Sequence, residues 1–460
     1  MSSLTKGLLL WTFLDGPATV ELSTSGGQKI TRDTTANYSA GSDLEFDFVS
    51  DSGTLTISLN GAVVQEYTIQ ITLGGLTTTI PPARSNQATA ISGYILSVGI
   101  FDAPLLNGLK DQLYVNIAPD QSSWMGTIPS STPFWAMCLP GAHDAGMNTV
   151  QGLDLIKNNP TLLGIIMGIL GPTLGGFVES KFEDYAIWLG GLTQKDSITT
   201  MLAMGIRFFD VRPGFSPQEL VNAGLTDIRH QHSVLPGALY LDILTEILQF
   251  LSTHPTEIVQ ISVTSNGFVE TSMTPSAEDL NSIVQQAMST PGVDQSIQVI
   301  GPSAFTETLE TLQSSNSRLI LTDSNHGPTL TTLDAWNTTD WATLDPSTIQ
   351  GAYTTVITPQ AQTGNEQTTF QVQATATDAY LNDSTLKFTL LAADDYNLPL
   401  TSTKGNFDAV LFNFILTYQT ELNRKEHLVC IDDWADGATV SPCIAISLDR
   451  AGRLQDFVDN

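Results

Sequence analysis

Asp196-Ser-Ile-Thr-Thr-Met-Leu-Ala-Met-Gly-Ile-Arg-Phe-Phe-Asp-Val-Arg-Pro213 is the stretch on which the fold turns. Its first half carries Ile198, Met201 and Leu202 at helical spacing, so Asp196 to Met204 reads as a helix. Its second half, Ile206 to Val211, is apolar and aromatic and reads as a strand. The same alternation extends in both directions. Upstream, Phe134 to Leu139 is an apolar run ending at Pro140-Gly141. Downstream, Ile228 to Val234 is a strand, and Leu241 to Leu251 places Ile243, Leu244, Ile247, Leu248 and Leu251 on one helical face before His254-Pro255 stops it. Strands follow at Ile258 to Val263, Arg318 to Thr322 and Phe370 to Ala374, then a helix at Phe407 to Leu422 and a last strand at His427 to Ile431. Strands alternating with helices predict an α/β fold on a parallel sheet, a (β/α) barrel over residues 121–460.

Residues 1–120 follow another rule. Short alternating runs recur at Thr19 to Leu22, Asp43 to Phe48, Thr54 to Leu59, Val63 to Leu73 and Tyr94 to Ile100. Turn residues separate them, and Asn60-Gly61 between two alternating runs is a hairpin signal. This predicts a small all-β sandwich without a histidine and with no visible ligand. Tyr114 to Pro133 reads as the linker. The apolar start, Leu8 to Leu14, reads as a first strand rather than a clear signal peptide.

Composition bounds the partners. The 460 residues hold 18 Lys plus Arg against 47 Asp plus Glu, a net charge of −29. So acidic a chain excludes a nucleic-acid partner and disfavours electrostatic docking on anionic membrane. Three cysteines make no disulfide framework, and no CxxC or Cys/His cluster suggests zinc. No uninterrupted apolar run is long enough to span a membrane; the compartment, secreted or cytoplasmic, stays open. Residues 153–192 are rich in Leu, Ile, Gly and Phe. They read as rim-packed helices or as an apolar lip for peripheral membrane contact.

The reactive side chains gather at the predicted strand ends. The first strand ends Leu139-Pro-Gly-Ala-His143-Asp144, the second carries Asp210 and Arg212, the third carries His230 and His232, and the last carries Asp432-Asp433-Trp434. Period-two geometry puts Asp210 with Arg212, and His230 with His232, on shared faces. Half of the chain's six histidines lie here. Two histidines with carboxylates and an arginine suit phosphoryl transfer: one base, one acid, and a cation against phosphate charge.

These motifs resemble the phosphatidylinositol-specific phospholipase C X-domain family of PLC-like phosphodiesterases. Leu139-Pro-Gly-Ala-His-Asp-Ala-Gly146 is similar to the family's LPGTHDSG, and Gln194 with Ser197-Ile198 and Gly205-Ile-Arg-Phe-Phe-Asp-Val-Arg212 is similar to Q..SI and GIRxFDxR. Phe250 to Val259 is similar to FLxxxPxEhV. The resemblance spans residues 124–435 and implies a distorted TIM barrel that cleaves a phospholipid phosphodiester to a cyclic phosphate and diacylglycerol. It implies His143 as general base, oriented by Asp432 or Asp433. It implies His232, with His230 as rival, as general acid paired with Asp144. Arg212, held by Asp210, would stand where calcium stands in metal-dependent members, so no calcium, other metal or cofactor is expected. Two hydroxyls of the family motif are replaced by Ala142 and Ala145, and no lysine follows the strand ending at Asn266, so the headgroup is open. The competing readings are a silent lipid- or glycan-binding barrel and a metal-dependent phosphodiesterase relative.

Overall fold

The computed structural model describes residues 5–33, 38–47, 52–72, 75–82, 88–101, 111–161, 163–164, 191–328, 332–333, 347, 350–351, 354, 369–374, 414 and 426–454. Ten strands come first: β1 (Thr5–Leu14), β2 (Ala18–Thr24), β3 (Lys29–Asp33), β4 (Tyr38–Asp47), β5 (Ser52–Leu59), β6 (Ala62–Thr72), β7 (Gly75–Thr78), β8 (Thr89–Ile91), β9 (Tyr94–Phe101) and β10 (Asp111–Pro119). They form two five-stranded sheets, ordered β4-β1-β10-β9-β8 and β3-β2-β5-β6-β7. Alternation dictates the faces: Val20 and Leu22 of one sheet share a core with Leu113, Val115 and Ile117 of the other. Asn60 and Gly61 both have positive φ (53° and 76°), the backbone of the tight turn that joins β5 to β6.

The linker expected from Tyr114 is corrected. Asp111–Pro119 is a strand, paired in parallel with β1 and antiparallel with β9. Its Leu, Val and Ile alternate inward, and Pro119, the first of the three prolines that suggested a linker up to Pro133, is its last residue.

Eight further strands build one sheet: β11 (Cys138–Ala142), β12 (Phe208–Val211), β16 (Val259–Val263), β17 (Val299–Ile300), β18 (Leu319–Asp323), β19 (Thr332–Leu333), β20 (Thr369–Ala374) and β21 (His427–Asp432). Their order is β17-β18-β16-β12-β11-β21-β20-β19, and every pairing is parallel. Among the described residues no pairing joins the two ends of this ladder. The helix Tyr240–Thr253 buries Ile243, Leu244, Ile247, Leu248 and Leu251 against it, each contributing about 1.5–3 kcal/mol of burial.

Two differences from the sequence reading bear on the site. Phe134–Ala136 is a 3-10 turn, and the first strand starts later, at Cys138. The stretch Arg229–His232 is not a strand of the parallel sheet. As β14 it sits between β13 (Pro213–Gly214) and β15 (Leu235–Leu239) in a separate three-stranded antiparallel sheet. Ser233, with a positive φ of 59°, and Val234 turn the chain back so tightly that His232 pairs with Leu235, so no crossover to a parallel neighbour can form. The expected helix at Phe407 to Leu422 and most of the 153–192 segment lie outside the described residues. No helix among the described residues is long and apolar enough to cross a membrane.

The first sheet touches the parallel sheet's surroundings directly. Ser97 Oγ donates to Asp196 Oδ1 at 2.6 Å, Ser441 Oγ donates to Asp15 Oδ2 at 3.1 Å, and the Tyr114 ring lies 5.6 Å from that of Trp434.

Candidate active site

The parallel register aligns three strand ends. β11 lies between β12 and β21, with Ala142 opposite both Phe209 and Asp432. His143 and Asp144 therefore leave the sheet beside Asp210 on one side and Asp432 on the other. The His143 amide donates to the Asp432 carbonyl at 3.0 Å and the Ala145 amide to the Asp210 carbonyl at 2.8 Å. Asp144 takes a positive φ of 42°, a conformation Asp tolerates, and this turns its carboxylate inward to complete burial.

That carboxylate is the hub. Arg212 Nε lies 2.7 Å from its Oδ1 and His230 Nε2 3.3 Å from the same oxygen. His143 Nε2 and His232 Nε2 lie 3.5 and 3.7 Å from Oδ2. Arg212 Nη2 also reaches Asp210 Oδ2 at 3.3 Å and His143 Nε2 at 3.1 Å. All eight sequence-predicted residues meet here or one layer behind.

The structure separates the pairs that the sequence left open. Asp433 Oδ1 lies 2.8 Å from His143 Nδ1. Asp432, the last residue of its strand, instead accepts from Thr439 Oγ1 at 2.7 Å. His230 is fully buried; its Nδ1 accepts from the Arg212 amide at 3.2 Å while Nε2 faces Asp144. The His232 side chain is 27% exposed, so it and the Arg212 side chain, 16% exposed, meet the solvent side.

Charge sets the protonation pattern. Burial disfavours a charged His143, but Asp144 and Asp433 outweigh it and lift the ring from 6.5 to about 9. Burial pushes His232 down to about 4; Asp144 opposes this, while Arg212, His143 and His230 reinforce it. Burial also works against a charged Asp144, yet Arg212 and the histidines hold it well below the usual carboxylate range. Burial opposes the Arg212 charge too, and Asp144 and Asp210 more than restore it. The free site thus carries one proton across His143 and His232, on His143.

Gln194 is a motif position to which the sequence assigns no task. Its Nε2 donates to the carbonyls of His143 (2.8 Å) and Asp432 (3.0 Å), and its Oε1 accepts from the Ala435 amide at 3.0 Å. One buried amide thereby ties the first strand's end to the last. Its place in a family motif was the available signal. Two further motif positions are structural: Arg207 pairs with Glu257, both fully buried, at 2.7 Å. His143, Asp144 and Asp210 also lie close enough together to hold a metal ion, although Arg212 already pairs with both carboxylates. Asp323 and His326 pair with each other at 2.9 Å.

No family model matches the chain. Over 143 residues, 30% of its length, the chain is 27% identical to PI-PLC X domain-containing protein 1 of Mus musculus, covering 38% of that protein. It is 24% identical over 148 residues to the protein of the same name from Danio rerio, covering 43% of it. The chain therefore spans less than half the length of these curated relatives. Among solved structures, phosphatidylinositol-specific phospholipase C from Listeria monocytogenes aligns at 16% identity and a TM-score of 0.41, covering 71% of this chain and 98% of that one. A variant of the Staphylococcus aureus enzyme aligns at 15% identity with the same TM-score, covering 71% and 96%. The resemblance to the PI-PLC X-domain family that the motifs carry is shared with both curated relatives.

Proposed function

From that resemblance we propose that the chain cleaves a phospholipid phosphodiester, with phosphatidylinositol as the first substrate to test. The observation that carries this reading is the Asp144 carboxylate, which gathers Arg212, His143, His230 and His232 within 3.7 Å of its oxygens. His143 takes the proton of a substrate hydroxyl, which forms a new bond to phosphorus. The bond from phosphorus to the glycerol oxygen breaks, and His232 protonates that oxygen. A cyclic phosphodiester and diacylglycerol leave. Because the nucleophile belongs to the substrate, orientation and charge stabilisation do most of the work. Arg212 faces the equatorial phosphate oxygens. Asp433 orients His143, and Asp144 with Asp210 holds Arg212. His230 positions Arg212 through its backbone amide.

The productive form has its single proton on His232. An incoming phosphodiester anion raises His232 and supplies what the free site lacks. Residues 1–120 act in this reading as a β-sandwich domain and residues 121–460 as a PLC-like barrel domain. The apolar segment 153–192 is assigned to peripheral membrane contact.

Phosphorus NMR of the protein with phosphatidylinositol in mixed micelles and EDTA, beside His143→Ala, is the decisive experiment. A cyclic phosphodiester signal from the unaltered protein alone is expected. A signal that needs added calcium or magnesium would overturn the role of Arg212 and favour the second reading, a metal held by His143, Asp144 and Asp210. Lipid binding without turnover in any condition would leave a binding-only barrel.

A further inference from the structure

The chain has only three cysteines in 460 residues, and all three converge. Cys138 opens β11, Cys430 lies in the neighbouring β21, and Cys443 lies on the helix Gly437–Gly452. All three are buried and free of disulfides. Their sulfurs lie within 4.8 Å of one another, and Cys138 and Cys430 are 3.8 Å apart. Thiolates bound to one ion at about 2.3 Å stand about 3.8–4.0 Å apart, so the pocket needs only a small contraction. Ser447 locks the geometry: its Oγ accepts from the Cys138 amide at 2.9 Å and donates to the Cys443 carbonyl at 2.8 Å. The Arg450 guanidinium, held by the carbonyls of Glu426 (2.7 Å) and Trp135 (3.3 Å), adds positive charge beside Cys138.

A buried cysteine often serves as a small apolar filler. Independent fillers have no reason to meet, whereas ligands of one ion must. We propose that Cys138, Cys430 and Cys443 form a closed three-thiolate site for a soft monovalent cation of the Cu(I) class. Among the described residues no His, Asp or Glu joins the group. A trigonal, all-sulfur set suits Cu(I), while Zn(II) completes a tetrahedron with a fourth ligand. Three thiolates, one Cu(I) and Arg450 together sum to a charge of about −1, and the field of Asp432 at Cys430 adds to the demand for a cation there. The bound ion would tie the first core strand, the last strand and the final helix together, so binding couples to folding. This site is separate from the histidine cluster and does not rest on the phosphodiesterase reading.

The test refolds the full chain without oxygen, titrates Cu(I) against a competing chelator, and reads native mass and the ultraviolet thiolate-to-copper charge-transfer band. One ion per chain, a raised thermal midpoint, and an affinity at least about 100-fold weaker in Cys443→Ala and Cys138→Ser are expected. The wild-type measurement stands by itself if either variant fails to fold. A folded wild type without the band, a Cys138–Cys430 disulfide in protein prepared without reductant, or preferential uptake of Zn(II) or Cd(II) in competition would each overturn the assignment.

Discussion

At the scale of single residues, protonation and reach separate the roles of chemically similar side chains. The free site holds one proton between about pH 4 and 9, the limits imposed on His232 and His143. Below the lower limit both rings are charged and no base remains; above the upper one both are neutral and no acid remains. A plot of kcat/KM against pH should therefore hold across this window and fall on either side. Asp433→Asn removes one charge that raises His143, so the alkaline limb should move to lower pH. Turnover should drop roughly 100- to 10,000-fold through the loss of ring orientation. Asp432→Asn should leave that limb in place, because Asp432 bonds Thr439 instead. Assignment of acid and base is settled by leaving group. On a nitrophenyl phosphodiester that keeps the neighbouring hydroxyl nucleophile and whose leaving group needs no proton, His232→Ala should recover most of its activity and His143→Ala should not. Recovery in the His143 variant alone would mean that the two roles are exchanged. Alternation in the sequence set His230 and His232 on one face, and both do face Asp144. Their unequal depth is invisible to alternation, since it depends on what packs over the hairpin.

At the scale of elements, two features hold the reactive loop in place. Gly146 follows Asp144 so closely over the β13–β15 sheet that a Cβ there would collide with the His230 Cβ and sit 2.7 Å from its Cγ. Gly146→Ala should displace His230, cost about 1–3 kcal/mol of stability and lower turnover, as denaturant melts and assays of one preparation would report. The Arg207–Glu257 pair anchors β12 from below: Arg207 also donates to the carbonyls of Leu202, Ile206, Gln121 and Ser122. Glu257→Gln leaves a buried guanidinium without its counter-charge and should destabilise by about 3–5 kcal/mol. Both residues were legible as motif positions. Their structural task was not, because a motif records residue type and spacing but not whether a side chain points to the mouth or into the base of the sheet. The placement of Arg229–His232 failed in the sequence reading for a related reason. A short polar strand carries no mark of the sheet it will join, and the tight return at Ser233-Val234 decided it.

At the scale of the whole molecule, the N-terminal sheet that contains β10 reaches the loop that carries Asp433. Trp434 follows with a positive φ of 58°, unusual for a bulky residue, and its ring packs at 5.6 Å from that of Tyr114 on β10. Lys195 lies 5.2 Å over the same Tyr114 ring, and its Nζ pairs with Asp196 at 2.6 Å and Asp436 at 3.6 Å. Tyr114→Ala should therefore reduce kcat by about 10- to 100-fold with little change in KM, since a small misplacement of Asp433 disturbs His143. Tyr114→Phe should retain the ring contact and most of the activity; equal losses in both variants would show that the ring does not support the loop. The sequence by itself determined the helices at Ile198–Met204 and Tyr240–Thr253, the strands at Phe208–Val211, Val259–Val263 and His427–Asp432, the Asn60-Gly61 turn and the residues that stand at the strand ends. Periodicity and turn chemistry are properties of near neighbours along the chain. Only the tertiary structure decided that Asp433 rather than Asp432 faces His143, that Asp144 is shared by Arg212 and three histidines, and that Cys138, Cys430 and Cys443 meet. Those outcomes depend on contacts such as Cys138 with Cys430, 292 positions apart, which strand register and packing create and no local pattern encodes.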